Sequence, residues 1–336
     1  MAASLSIAPV VCIGEILIDL IAPPDDSLTT AQTFAIREGG APMNAAVALA
    51  RLGIPVTFCG VVGNDPFGVR LRVLLKAEGV DCSDLRVSDE LPTSHAFAWR
   101  DERGDGQFQL FRLADRLLNG DDVAGAGIGE AAAILVGSVA LAASPSREAI
   151  HEAVQQAVDA NVPIVFDVNA RPTIWNDRAA LRLACEPLLQ AAKLLKLSLD
   201  DARCLWNAES PVEAMQYAGM NDPWLVVITD GSGGVFVKHS GIETIREYPV
   251  ISVEAVDPTG AGDAFTAALV SRLLRSNWTP PSEEDIRFAV AAGALATTRQ
   301  GAVTALPSLA ELDRCSADQG KSLIGCSGRY TGRAIR

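Results

Sequence analysis

The chain has 336 residues, 49% of them apolar, which is enough to bury a core in one large α/β domain or in two smaller ones. Its 41 acidic residues outnumber 28 basic ones, and the formal charge of −13 argues against nucleic acid or an anionic membrane as the main partner. The seven cysteines are scattered and form no C-x-x-C pair, which predicts a cytoplasmic protein without disulfides or a zinc site. The N-terminus has no basic segment, and no apolar run reaches about 20 residues, so neither a signal peptide nor a membrane span is predicted.

Strand and helix patterns alternate along the chain. Residues Val10 to Ile21 begin as a continuous apolar run and then carry carboxylates, as in a buried strand whose end opens onto a site. An Ala-rich helix follows and ends at Gly53, and further strands are predicted at 56–62, 132–136, 162–168, 194–197 and 225–229. Helices are predicted at 67–78, after Ser144 as N-cap with Pro145 at the first position, near 179–192 and from about 200. This alternation predicts a mainly parallel sheet with helices on both faces.

Two stretches, 22–36 and 93–116, break the alternation because they lack helical periodicity. The second alternates apolar and polar residues on both sides of a polar turn, which predicts a β-hairpin. We expect a small β-sheet lid built from insertions at about 15–37 and 93–116, within one domain that spans 1–310. Residues 311–336 have little apolar pattern and are predicted to form a mobile or loosely docked tail.

The most informative segment is the glycine-rich loop Asp257 to Asp263, which runs into an apolar helix over 264–274. Glycines allow backbone N–H groups to approach an anion closely, and a helix N-terminus adds about half a positive charge. Asp263 then lies beside the anion site, where a base can take the proton of a hydroxyl that attacks phosphorus. The alternative is a turn followed by a capped helix, the usual meaning of Gly and Asp at a helix start.

Polar residues also follow several predicted strands, where ligands of open α/β sheets bind. Asp19 and Asn44 can hydrogen-bond ligand hydroxyls, and the segment 167–172 combines an acid, an amide and a guanidinium. Each also has a structural explanation as a strand end or loop. In the segment 196–201, Ser198 either caps the next helix or belongs to a site where Asp201 holds a metal through water. The segment 229–234 is either a tight turn between two strands or a glycine-rich contact to a nucleotide.

Other enzyme classes lack their motifs. The chain has neither G-x-x-x-x-G-K-[ST] nor an early G-x-G-x-x-G, which argues against a P-loop protein and a nicotinamide dehydrogenase. It has no G-x-S-x-G elbow, so a hydrolase triad is unsupported.

The chain resembles the ribokinase/PfkB family of carbohydrate kinases over about residues 10 to 310. Two family signatures are matched in the expected order, by Gly39 to Ala46 and by Asp257 to Phe265. The resemblance implies a ribokinase-like α/β sandwich with a β lid, ATP and Mg2+ as cofactors, and phosphorylation of a sugar hydroxymethyl group. It implies that Asp263 is the catalytic base and that the N–H groups of Gly260, Ala261 and Gly262 form the anion hole.

The resemblance also assigns binding residues by position. The sugar is expected to contact Asp19, Gly39, Gly40, Asn44, Phe97, Arg112, Asn169 and Arg171. The nucleotide is expected to contact Lys196, Ser198, Thr229, Gly231, Gly234, Gly260, Gly262 and Gly293. A metal is expected near Asp201 through water, and K+, used by some members, near Asp257 and Thr259.

Within the family, Gly39 to Pro42, Phe111 to Leu118 and Asp167 to Arg171 look most like fructokinases, so D-fructose is the expected substrate. Alternatives are another sugar or sugar acid, such as ribose or 2-keto-3-deoxygluconate, and a catalytically silent binding protein. Two departures from the family pattern, Ser198 to Asp201 and Val290, keep the silent alternative open. The resemblance further suggests a homodimer through the lid, with contacts from Phe97, Trp99, Phe108 and Phe111.

Overall fold

The structure is a computed structural model that describes residues 7–24, 26–101, 106–242, 244–318 and 333–335. Within these ranges the chain forms a large sheet flanked by helices and a smaller separate sheet. The predicted α/β architecture with a small β-sheet lid is therefore confirmed.

In chain order the strands are β1 (Val10–Ile13), β2 (Leu17–Ile21), β3 (Ala35–Gly39), β4 (Val56–Gly63), β5 (Leu85–Ser88), β6 (His95–Arg100), β7 (Gly106–Phe111), β8 (Ala133–Val136), β9 (Ile164–Asp167), β10 (Leu194–Ser198), β11 (Leu225–Thr229), β12 (Val235–His239), β13 (Ile245–Tyr248) and β14 (Arg333–Ile335). The helices are α1 (Ala41–Arg51), α2 (Pro66–Ala77), α3 (Gly120–Ala124), α4 (Ser146–Asp159), α5 (Arg178–Ala191), α6 (Leu199–Trp206), α7 (Pro211–Ala218), α8 (Ala261–Arg275), α9 (Glu283–Ala296), α10 (Ala302–Ala305) and α11 (Leu309–Asp318).

The large sheet has the strand order β14-β13-β12-β11-β10-β9-β8-β1-β4-β5. Neighbours from β11 to β5 pair in parallel, whereas β12, β13 and β14 extend the sheet with antiparallel pairs. Strand β1 lies inside the sheet between β8 and β4, and all four of its residues are buried. The continuous apolar run at its start is explained by this position, because helices cover both faces of a parallel sheet.

Alternate residues of β1 enter two different cores. Val10 and Cys12 pack with the helices of one face, including α1, α8 and α9, whereas Val11 and Ile13 pack with α4, α5 and α6 on the other. Helix α1 packs directly against α8, and α8 against α9. The first turns of α1 and α8 are thereby brought together at the carboxyl edge of the sheet.

The smaller sheet has the order β3-β2-β6-β7 and is the lid. Its hairpin β6-β7 is antiparallel, as the alternating pattern predicted. The apolar run from Val10 to Ile21 was expected to continue as one strand, but it is divided between the two sheets at Gly14, whose φ of 143° breaks the extended chain.

Two local expectations differ from the structure. Helix α4 begins at Ser146 with Pro145 in the N-cap position, so the prediction of Ser144 as N-cap is wrong. The Ser144 hydroxyl donates instead to the Glu148 side chain at 2.8 Å.

Residues 311–318 of the predicted tail belong to α11, where Leu312 is buried, and β14 pairs with β13. The rest of the predicted tail, 319–332 and 336, lies outside the described residues.

None of the helices in the described ranges combines the length and the apolar character needed to cross a membrane.

Candidate active site

A cavity of about 960 Å³ opens between the lid and the carboxyl ends of the central strands. Its wall contains most of the residues that were predicted to bind ligands, namely Asp19, Gly40, Asn44, Asn169, Arg171, Lys196, Ser198, Asp201, Thr229, Gly231, Gly234, Thr259, Gly260, Ala261, Gly262, Asp263 and Gly293. Residues far apart in sequence meet there because parallel strands end at the same edge of the sheet.

The start of α8 contributes the central carboxylate. Gly260 precedes the helix with a φ of 83°, and a Cβ at this position would lie 2.9 Å from the Cβ of Ala302. Only glycine combines this left-handed backbone with the close packing against α10. The helix then begins at Ala261, and Asp263 in its first turn is buried. In this arrangement the Ala261 N–H, predicted to belong to the anion hole, donates to the Pro258 carbonyl at 3.2 Å.

Asp263 is held by two amides. Asn44 Nδ2 donates to Asp263 Oδ2 at 2.8 Å, and Asn169 Nδ2 lies 3.4 Å from Asp263 Oδ1. Burial, reinforced by the nearby Asp167 carboxylate, raises the pKa of Asp263 to about 6, although the Asn44 hydrogen bond and the charges of Lys196 and Arg171 oppose the shift. A carboxyl with this pKa is ionised at neutral pH and basic enough to accept a proton from a hydroxyl.

Lys196 places an ammonium group beside the glycine-rich loop. Its Nζ lies 3.0 Å from Asp167 Oδ1, and a Cβ added to Gly262 would lie 2.9 Å from the same Nζ. Burial favours the neutral amine, but the carboxylates of Asp167, Asp201 and Asp263 outweigh it and raise the pKa of Lys196. The lysine is therefore a permanent positive charge close to the N-terminus of α8, which suits an anionic ligand.

The start of α1 forms the opposite wall. Gly40 has a φ of 112°, and a Cβ there would come within 2.5 Å of the Glu15 carbonyl oxygen. Glycine is therefore required at position 40, whereas at Gly39 a Cβ would overlap the Asp19 carboxylate unless that side chain moved. Burial raises the pKa of Asp19 to about 7, and its Oδ1 has no hydrogen-bond partner, like Oδ1 of Asn44. Such buried unpaired acceptors suit the hydroxyl groups of a ligand.

The segment after β10 adopts the capping arrangement. Ser198 caps α6, and Asp201 Oδ2 accepts from the Ser198 N–H and hydroxyl at 2.7 and 2.8 Å. Asp201 Oδ1 accepts from the Ala170 N–H at 2.6 Å. Both oxygens therefore stabilise the protein itself, and a contact with a metal through water stays a prediction.

The segment 229–234 is the tight turn between antiparallel strands β11 and β12, and Thr229, Gly231 and Gly234 line the cavity there.

Asp257 stabilises the loop before α8, because its Oδ1 accepts from the Thr259 N–H and hydroxyl and its Oδ2 from the Gly301 N–H. In the described part of the chain, no three His, Cys, Asp or Glu side chains cluster as metal ligands.

Three predicted sugar contacts, Gly39, Phe97 and Arg112, do not line the cavity. Phe97 lies on the outer face of the lid with Phe34 and Phe111, at centroid distances of 5.3 and 6.0 Å, and not in the cavity wall. Arg112 is likewise absent from the wall and binds Asp115. The lid residues in the wall include Phe108 and Leu110, which alternate with the outward-facing positions of β7.

Glu15 was not predicted as a site residue. It lies directly before β2, lines the cavity, and is only 3% exposed. A carboxylate inside an otherwise apolar run was the available signal, but the same pattern is found where a strand simply ends.

The sequence pattern of the pfkB family of carbohydrate kinases matches residues 8–309. The chain belongs to this family. As a pfkB carbohydrate kinase it is an ATP-dependent sugar kinase, in agreement with the prediction from the two motifs. A fructokinase from Vibrio alginolyticus is 34% identical over 307 residues, which cover 90% of this chain and 96% of that protein.

Solved structures of other pfkB kinases have the same fold. Fructokinase with bound ATP from Xylella fastidiosa has a TM-score of 0.82 and 30% identity, with 93% of this chain and 99% of that one covered. A double mutant of fructokinase from Vibrio cholerae O395, solved with fructose, ADP and potassium ion, has a TM-score of 0.79 and 32% identity, with 92% and 98% covered.

Proposed function

We propose that this sugar kinase is a fructokinase that transfers the γ-phosphoryl group of ATP to the C6 hydroxyl of D-fructose. The observation that carries the proposal is the position of Asp263, a buried carboxylate between two amides at the start of α8, beside Lys196. The fructokinase relatives of about one-third identity support fructose as the sugar.

In the proposed mechanism, fructose hydroxyls bind Asp19, Gly40, Asn44, Asn169 and Arg171. Asp263 accepts the proton of the attacking hydroxyl, while the N–H groups of Gly260 and Gly262 and the Lys196 ammonium stabilise the transferring phosphoryl group. The Ala261 N–H, which donates to Pro258, would have to change partner to take part. Positioning and electrostatic stabilisation supply most of the rate acceleration in such a reaction.

The nucleotide is proposed to lie between the start of α8, the 229–234 turn and Gly293 of α9. A Cβ at Gly293 would approach the Ala261 carbonyl to 3.2 Å, so this glycine permits the close contact between α9 and the loop. Mg2+ is proposed to arrive on the phosphates of ATP, because it retains water ligands and needs few protein ligands. Asp257 and Thr259 would support K+ at the loop.

A panel of sugars with ATP and Mg2+ tests the proposal. Fructose, ribose, glucose and 2-keto-3-deoxygluconate are compared by kcat/KM in a coupled assay for ADP release. We expect fructose to give the highest value. A clearly higher value for another sugar overturns the choice of substrate, and no turnover with any sugar favours a catalytically silent binding protein.

The lid is proposed to mediate a homodimer. The outer face of its sheet carries Phe97, Trp99 and Phe111, of which Phe111 is 39% exposed, whereas Phe108 faces the cavity. Exposed aromatic clusters are typical of protein interfaces. Light scattering of the wild-type protein and of Phe97→Glu is expected to give dimer and monomer masses, respectively, and equal masses contradict this interface.

The proposed compartment is the cytoplasm, where ATP is available. Cys12, Cys59, Cys82, Cys185 and Cys204 are free thiols, which is compatible with a reducing compartment.

A further inference from the structure

Glu15 is a buried carboxylate with one hydrogen-bonding position open. Its Oε1 accepts from the Ala41 N–H at the start of α1, at 3.2 Å. Its Oε2 is buried without a partner, although the residue lines the cavity. An unpaired buried carboxylate oxygen is costly, so this atom calls for a donor, and no described group of the protein lies within hydrogen-bond distance of it.

The side chain of Arg112 is fixed at the root of the lid. Arg112 follows β7, and its Nε and Nη2 donate to Asp115 Oδ2 at 2.7 Å and to Ser146 Oγ at 3.2 Å. Asp115 also accepts from the hydroxyl of Ser94, which immediately precedes β6. Both ends of the lid hairpin are thus tied to the same buried carboxylate, whereas Nη1 of Arg112 is buried without a hydrogen-bond partner.

The charges of the two groups interact. Burial raises the pKa of Glu15 to about 7, and the Asp115 carboxylate raises it further, whereas the guanidinium groups of Arg112 and Arg171 lower it. Arg112 therefore favours the ionised form of Glu15 from a position outside the cavity wall. Of the two residues, Glu15 is the one that can reach a ligand in the cavity.

Glu15 Oε2 is not isolated. Asp19 Oδ1 and Asn44 Oδ1 are also buried acceptors without partners, and all three residues line the same cavity. Several acceptors in one wall suit a ligand with several hydroxyl donors. The row of acceptors thus extends from the predicted sugar-binding pair, Asp19 and Asn44, to Glu15.

We propose that Glu15 is a sugar-binding residue whose Oε2 accepts a hydrogen bond from a substrate hydroxyl. This inference rests on the proposed sugar kinase reaction.

The test is Glu15→Gln. The glutamine carbonyl can still accept from Ala41, but its amide places a donor where the substrate hydroxyl needs an acceptor. We expect KM for the sugar to rise about 10- to 100-fold, as for loss of a hydrogen bond to a charged group, while KM for ATP changes less than about twofold. Because the glutamine carbonyl keeps the hydrogen bond to the Ala41 N–H, displacement of α1 is not the expected cause of this split. Thermal unfolding with and without ATP checks that each variant is folded.

The matched control is Glu38→Gln, which removes a lid carboxylate paired with Arg70 at 2.7 Å on the surface. It should leave both KM values within about twofold of wild type. An unchanged sugar KM in Glu15→Gln overturns the inference while the kinase proposal stands. A wild-type protein without turnover on any sugar removes the proposed function and this inference together.

Discussion

The side-chain amide of Asn44 donates to the carboxylate of Asp263 at 2.8 Å, across 219 positions of sequence. The bond joins the first turn of α1 to the first turn of α8. It links a residue proposed to bind the sugar with the proposed catalytic base. The binding of a sugar to Asn44 and the pKa of Asp263 therefore depend on the same hydrogen bond.

We expect kcat/KM of the wild-type enzyme to fall on the acidic side between about pH 6 and 7. Burial raises the pKa of Asp263 to about 6 and the pKa values of Asp19 and Glu15 to about 7. Asp263 must be ionised to accept a proton, and Asp19 and Glu15 are stronger hydrogen-bond acceptors when ionised. Activity is therefore present above this range and is lost as the pH falls through it. Initial rates at constant ionic strength measure the midpoint. A midpoint near pH 4, as for exposed carboxylates, contradicts the prediction.

Asn44→Ala should move this acidic limb to higher pH. The Asn44 hydrogen bond lowers the pKa of Asp263, so its loss is expected to raise the midpoint by roughly 0.5–1 pH unit. The control is Asn64→Ala, which removes a surface amide that donates to Asp89 at 2.7 Å. The prediction fails if both variants give the wild-type profile.

Asp263→Asn should lower kcat by about 10²- to 10⁴-fold and leave the fold intact, because the amide cannot accept a proton. Asp285 occupies the equivalent third position of α9, where it caps the helix, so Asp285→Asn tests the capping alternative. That control should lower stability and leave kcat within about twofold. Near-normal turnover of Asp263→Asn excludes its role as base.

Lys196→Met should destabilise the protein by about 3–5 kcal/mol, because it leaves the buried Asp167 carboxylate without its cation. Arg203→Met removes a pair with Asp200 that is exposed on both sides, and it should change the free energy of unfolding by less than about 1 kcal/mol. Urea unfolding without ligands compares the two. Adding Asp167→Asn to Lys196→Met should recover part of the loss, and equal costs for the two single variants contradict the prediction.

Gly40→Ala should be far more destabilising than Gly79→Ala. Both glycines have positive φ, of 112° and 76°, but nothing lies within 4 Å of a Cβ at Gly79, whereas one at Gly40 meets the Glu15 backbone. We expect about 1 kcal/mol for Gly79→Ala and at least roughly 2 kcal/mol more for Gly40→Ala, measured by urea unfolding. Similar costs would show that the start of α1 can shift to make room.

Much of the fold follows from local patterns. The buried strands and the glycine loop before Asp263 are recognisable in sequence because each depends on neighbouring residues. The sequence does not show which face of the lid sheet is turned to the cavity. Phe97 and Phe108 lie in paired strands that carry aromatic residues on both sides, and only the register decides which side meets the cavity. Glu15 was missed for a similar reason. Its Oε1 binds the N–H of Ala41, which is distant in sequence, and its Oε2 has no partner only because of how the cavity is formed.

The packing of α1 against α8 also constrains how the protein is made. Residues 42–49 of α1 are all buried, and the segment of α8 that covers them begins at residue 264, about 215 residues later in synthesis. At a translation rate of roughly 5–20 residues per second, α8 is synthesised on the order of 10–45 s after α1. The nascent chain therefore exposes the apolar side of α1 during most of its elongation, which is the period in which this segment can aggregate.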